Sequence, residues 1–175
     1  MKQQKLKIAC LALFLTILLP GLAGAAKSAW VTLTSSEGGF SISMPGKAKL
    51  TTGVHKSFVG SIAENTFSVK TANGNYSIEY SNLPGIAVSM GGEKTIYNKT
   101  KENLLKVLGG QEISFSPTSF SGHSGMELTF IIPSYNISGT ARFYLVEKRL
   151  YVLVASNKKS PDPNASKFFG SFQIQ

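Results

Sequence analysis

The chain has 175 residues, with 18 Lys and Arg against 9 Asp and Glu for a formal charge of +9, and a single cysteine. That length suits one domain with a real hydrophobic core. The lysines are scattered, only Lys158 and Lys159 are adjacent and no arginine cluster exists, so nucleic-acid binding finds no support.

Chain order begins with a leader. Lys2, Lys5 and Lys7 precede an apolar run from Ile8 to Leu19, then Pro20-Gly21 and the small residues Ala23-Gly24-Ala25. This is the pattern of a cleavable export signal over residues 1–25, too short for the roughly 20 apolar residues of a spanning helix. Residues 26–175 are then the exported domain, periplasmic or extracellular, or in the thylakoid lumen if the source is a cyanobacterium. Cys10 lies inside the leader, too close to Lys7 for a lipoprotein cysteine. The exported part therefore has no thiol, which excludes disulfides, cysteine catalysis and thiolate metal sites. Its formal charge is 15 − 9 = +6, suited to solubility or to an anionic surface or acidic partner.

Trp30 to Thr34 reads as a short strand, followed by a Ser-Ser-Glu-Gly-Gly turn and a second strand in which Phe40, Ile42 and Met44 share one face. Pro45 cannot donate to a ladder, so Met44-Pro45-Gly46 ends that strand. Phe67 and Val69 alternate into a turn centred on Asn73-Gly74, and Tyr76, Ile78 and Tyr80 alternate out of it, a hairpin. Lys56 to Ile62 reads as a further strand beside it.

Residues 91–110 form the one clear helix. Ile96, Tyr97, Thr100, Leu104, Val107 and Leu108 make its apolar stripe, Lys94, Lys99, Lys101 and Lys106 lie away from it, and Gly109-Gly110 stops it. Beyond it Ile113 to Phe115 alternates, a turn falls at Gly122 to Gly125, and Met126, Leu128, Phe130 and Ile132 share a face. A second hairpin turns near Glu147-Lys148-Arg149, and its apolar strands suggest the sheet centre. Pro161-Asp162-Pro163-Asn164 opens a short helix through Phe168 or Phe169, and Phe172 and Ile174 close the chain as a strand. About eight strands and two helices result, mostly antiparallel, an α+β sandwich.

Chemistry is sparse. The only histidines are His55 and His123 and the only aspartate is Asp162. A metal site would need both imidazoles plus a carboxylate such as Glu64 or Glu127, and the spacing gives it no support. Gly122-His-Ser-Gly-Met126 has Met126 where a nucleophile elbow needs its last glycine, and the context is a hairpin. A hydrolase reading through Ser124 with His55 or His123 is the weakest alternative. Gly91-Gly-Glu-Lys-Thr95 lacks the glycine spacing of a phosphate loop. The six tyrosines can each bury a ring and present a hydroxyl, with core packing the commoner use. Four Asn-x-Ser/Thr sequons, at Asn75, Asn98, Asn136 and Asn164, matter only where the export route glycosylates.

Trp30, the run Gly39-Phe-Ser-Ile42 into Met44-Pro-Gly46, the Gly122-to-Leu128 hairpin, and Ala141 to Ser156 followed by Phe168-Phe-Gly-Ser-Phe-Gln-Ile174 are together similar to small exported proteins of the PsbP-like superfamily. The resemblance spans nearly the whole exported chain through short motifs. It implies an α/β/α sandwich with a central, mostly antiparallel sheet. In photosynthetic members that fold is an extrinsic subunit that docks on photosystem II and helps retain calcium and chloride; relatives elsewhere are binding or chaperone-like modules without catalysis. This chain lacks the asparagine- and valine-rich opening of the photosystem subunits, and no functional residue carries over.

The reading is thus an exported, non-enzymatic binding or assembly-accessory protein with a protein partner in the cell envelope, no cofactor and no span after cleavage. It would use a sheet edge or the basic helix face with Lys94, Lys101 and Lys106. The alternative is a small-molecule or metal-ion carrier, with His55 and His123 the candidate ligands.

Overall fold

Phe40, Ile42 and Met44, which the alternation puts on one face, are each fully buried. They belong to a three-stranded sheet laid across a larger one, in a computed structural model that describes residues 29–57, 60–158 and 162–175. The expected leader over residues 1–25, with Cys10, lies outside the described residues, as does Pro161 at the expected opening of the last helix.

The strands are β1 (Val31–Ser35), β2 (Phe40–Met44), β3 (Lys49–Ser57), β4 (Gly60–Lys70), β5 (Gly74–Asn82), β6 (Gln111–Phe120), β7 (His123–Ile132), β8 (Ile137–Val146), β9 (Arg149–Asn157) and β10 (Gln173–Ile174). The helices are α1 (Gly85–Leu108) and α2 (Ala165–Gly170), with one turn of 3-10 helix at Pro133–Tyr135. The large sheet has the order β3-β4-β5-β9-β8-β7-β6, and every neighbouring pair is antiparallel. The small sheet is β1-β2-β10. β9, apolar on both faces in sequence, is the central strand, as its pattern requires.

Two cores follow from the period-two pleat. On one face Tyr76, Ile78, Tyr80, Tyr151 and Leu153 meet Phe40, Ile42 and Met44 of the small sheet and Phe168 and Phe169 of α2. On the other, Leu128, Phe130, Phe143, Leu150, Val152 and Val154 meet Tyr97, Leu104 and Leu105 of α1. Each large apolar side chain so buried contributes about 1.5–3 kcal/mol. The described fold is therefore helix, large sheet, then a mixed layer of small sheet and short helix. It is richer in sheet than an α/β/α sandwich, because β1, β2 and β10 occupy much of the layer where a second helix would lie.

Several expected elements shift. Lys56 to Ile62 is not one strand: Lys56 and Ser57 end β3 and Gly60 to Ile62 open β4, with Lys56 opposite Ser61 and His55 opposite Ile62, and residues 58–59 lie outside the described residues. α1 begins at Gly85, not Gly91, and Gly92 breaks it with φ 64° and ψ 162°. A first segment thus lies at an angle to the main one, which only glycine's open φ range permits cheaply. The main segment is also rolled on its axis: Leu105 joins the core while Val107, expected in the stripe, is 75% exposed. The second turn sits at Ser121-Gly122, both at positive φ, so His123, Ser124 and Gly125 are strand residues.

Gly74 has an unexpected role. The tight turn has Ala72 and Asn73 at its centre, closed by the N–H of Thr71 to the carbonyl of Gly74 at 2.8 Å. A Cβ on Gly74 would lie 1.9 Å from the carbonyl oxygen of Ser156. The glycine is there for close approach of β9, not for turn geometry.

Candidate binding surfaces

Ser124 is the second residue of β7, and its Oγ donates to Oε2 of Glu93 on α1 at 3.0 Å. No imidazole among the described side chains hydrogen-bonds to that hydroxyl; it tethers helix to sheet. His55 lies on edge strand β3 and His123 on β7, five strand spacings across the sheet, or about 24 Å. Glu127 pairs with Arg142 at 2.6 Å, and Arg142 also covers the ring of Phe169. Glu64 stands on β4 at the far side of the sheet, so neither carboxylate draws the two histidines together. No group of three His, Asp or Glu among the described residues could hold a metal.

Of the helix lysines, Lys94 and Lys106 are exposed, and Lys99 pairs with Glu102 along the helix at 3.1 Å. Lys101 does not stand out in solvent. It pairs with Glu112 at 2.7 Å over the ring of Phe115, its side chain only 17% exposed, and so clips α1 to β6.

The tyrosine hydroxyls are mostly consumed. Tyr76 donates to Asp162 at 2.7 Å, and Asp162 also accepts from the side chain of Asn157 and the backbone N–H of Asn164. That carboxylate pins the start of α2 to β5 and β9. Burial first, then the hydrogen bond and charge of Asp162, push the Tyr76 phenol up to about 12. Tyr151 donates to the carbonyl of Gly38 at 2.8 Å. Tyr135 is the exception at 69% exposure. The sequence marks it only by its neighbours, Pro133 before it and Asn136 in the left-handed region after it.

Two surfaces stand out among the described residues. The first is β3, whose only described partner is β4, so every second residue turns its N–H and C=O outward. Nine residues long, it contains no proline and no acid, carries Lys49, His55 and Lys56, and exposes Leu50 and Val54 at 48% and 67%. The opposite edge, β6, is interrupted by Pro117 and by an irregularity between Glu112 and Ser114, both devices that discourage pairing. The second is a cleft of about 520 Å³ at the sheet end, between the β4–β5 turn, the end of β9 and Tyr135.

No known family profile and no curated protein matches the sequence. The solution structure of cyanobacterial PsbP (CyanoP) from Synechocystis sp. PCC 6803 is similar in fold: TM-score 0.57 at 12% identity, over 90% of this chain and 99% of that one. The fold is PsbP-like. At that identity the likeness speaks for architecture alone.

Proposed function

We propose that this PsbP-like chain is an exported, non-enzymatic binding or assembly-accessory protein whose edge strand β3 takes up an extended, acidic segment of a protein partner. The observation that carries it is the contrast between the two sheet edges. β6 is guarded by Pro117 and an irregular register, whereas β3 runs nine residues in regular register with β4 and leaves its outer side, the N–H and C=O of every second residue, without a described partner. Main-chain pairing would supply affinity, and the alternate side chains Leu50 and Val54 would supply an apolar seat. Lys49 and Lys56 near its ends favour acidic partners and slow aggregation with neutral ones.

The exposed lysines Lys94 and Lys106 of α1 would add steering charge from a second face, while Lys101 is held by Glu112. The leader motif supports an exported location. No described helix is long and apolar enough to cross a membrane. The structural neighbour from Synechocystis, a PsbP by name, is compatible with an accessory role here.

The test uses proline scanning. Proline is placed at Thr52 and, separately, at Gly53, where adjacent positions turn N–H groups in opposite directions. One variant keeps the stability of the parent and loses partner capture from envelope extracts; the other unfolds β3 itself. Capture unchanged in the stable variant contradicts the proposal.

A further inference from the structure

The cleft at the sheet end is lined largely by polar residues. Lys70 lies opposite Asn75, and Asn75 opposite Ser156, so these three residues cross three adjacent strands in one row on one face. Their span is about 10 Å at the strand spacing of an antiparallel sheet. Lys158, Asn73 and the exposed Tyr135 complete the rim. The side chains of Lys70, Asn73, Asn75 and Lys158 make no hydrogen bond or ion pair with another described residue, and no carboxylate lines the cleft.

The frame beneath them is rigid. The Thr71 hydroxyl donates to the carbonyl of Gly74 and accepts the N–H of Gly74, each at 3.0 Å. The N–H of Lys158 donates to the carbonyl of Asn73 at 2.8 Å, which locks the turn onto the end of β9. On the other wall, Pro133 starts the single 3-10 turn, and the N–H of Asn136 donates back to the Pro133 carbonyl at 3.2 Å. The backbone of the site is therefore preformed, and binding orders chiefly the side chains of Lys70, Lys158 and Tyr135.

We propose that this cleft binds an acidic saccharide, a sugar chain bearing carboxylates. The two lysines match the carboxylates, and the Asn73 and Asn75 amides match sugar hydroxyls as donors and acceptors, while the Ser156 hydroxyl, which donates to the Asn75 carbonyl at 3.4 Å, can only accept. Tyr135 offers an exposed ring face against which the C–H face of a pyranose stacks. The repeat of a sugar chain is close to the strand spacing, so successive residues meet successive members of the row. A peptide fits less well, because β5 is paired on both sides there, with β4 and with β9, and only the last two residues of β4 have an open side. A free phosphate would leave the Tyr135 ring unused.

The test is amide chemical-shift mapping with trigalacturonate, with maltotriose as neutral control and a triglutamate peptide as acidic control. Trigalacturonate shifts the amides of residues 70–75, 135–137 and 156–158, leaves 49–57 unmoved, and weakens as salt rises. Lys70→Ala and Lys158→Ala each reduce its affinity about tenfold, and Tyr135→Ala does so with the charge intact. Absence of shifts with trigalacturonate overturns the assignment. So do equal binding of maltotriose, equal binding of triglutamate at the same residues, or undiminished affinity in all three variants. Because β3 takes no part, failure here leaves the strand-addition reading standing, and the proline variants leave this site intact.

Discussion

The hydroxyl of Tyr97 accepts the backbone N–H of Leu145 at 2.9 Å and donates to the carbonyl of Ser124 at 3.2 Å. The β7–β8 ladder ends at the pair Gly125 and Tyr144, so Ser124 and Leu145 are the residues that would pair next. The phenol of a helix residue stands in for the missing rung and satisfies both strands. Burial raises its pKa, which the Leu145 N–H partly offsets. Tyr97→Phe strands a buried N–H and is expected to cost about 1–3 kcal/mol. Urea unfolding measures the loss, and faster exchange of the Leu145 amide localises it. An unchanged midpoint would mean the rung contributes nothing.

Alkali should loosen the other face. Tyr76 ionises near 10 when unfolded and at about 12 in the fold. Its contribution is therefore complete below pH 10 and disappears as pH rises through 12, because only the unfolded chain gives up the proton in that window. Tyr80, Tyr97 and Tyr144 are also raised, chiefly by burial, and act in the same sense. Stability measured from pH 8 to 12 should fall steeply above 10. In Tyr76→Phe the slope should be shallower.

How much of this is legible in the sequence depends on the range of the interaction involved. Phe40, Ile42 and Met44, the Tyr76–Tyr80 alternation and the Glu147–Arg149 turn are local patterns, and the fold contains them. The helix register was harder: Leu105 and Val107 exchange roles because the break at Gly92 and the Lys101–Glu112 clip set the roll of α1, and neither shows in a periodicity. β3 was invisible as a strand because an edge exposed on both sides needs no alternation. The sequence marked His123, Ser124 and Lys101 as candidate chemistry, yet Ser124 and Lys101 are occupied by Glu93 and Glu112, partners distant in the chain. The cleft escapes sequence reading altogether, since Lys70, Tyr135 and Lys158 meet only through the topology.

Glycine substitution separates close approach from mere flexibility. Gly74→Ala drives a methyl into the Ser156 carbonyl, a backbone atom that cannot swing aside. A loss of about 1–3 kcal/mol is expected, as for other overpacked sites. At Gly53 a Cβ meets nothing within 4 Å. Gly53→Ala should be neutral, or stabilising by up to about 1 kcal/mol through reduced freedom of the unfolded chain. Thermal melts of the two variants check the contrast.

Ser124→Ala tests the hydrolytic alternative. It removes one exposed hydrogen bond to Glu93, worth about 0.5–1.5 kcal/mol at most. Ester hydrolysis by the parent should equal buffer background, and the variant should not differ. Turnover lost in the variant would assign the serine a catalytic role.

The central proposal, that edge strand β3 is where a partner docks, is tested most directly by photo-cross-linking in intact cells. A photoreactive residue is placed at Thr52 on β3 and, in parallel, at Ser116 on β6. The account predicts a discrete adduct from Thr52, identified by mass spectrometry as one partner with an acidic extended segment, and none from Ser116. Adducts from Ser116 alone, or none from Thr52 in cells where the protein is exported and folded, would contradict it.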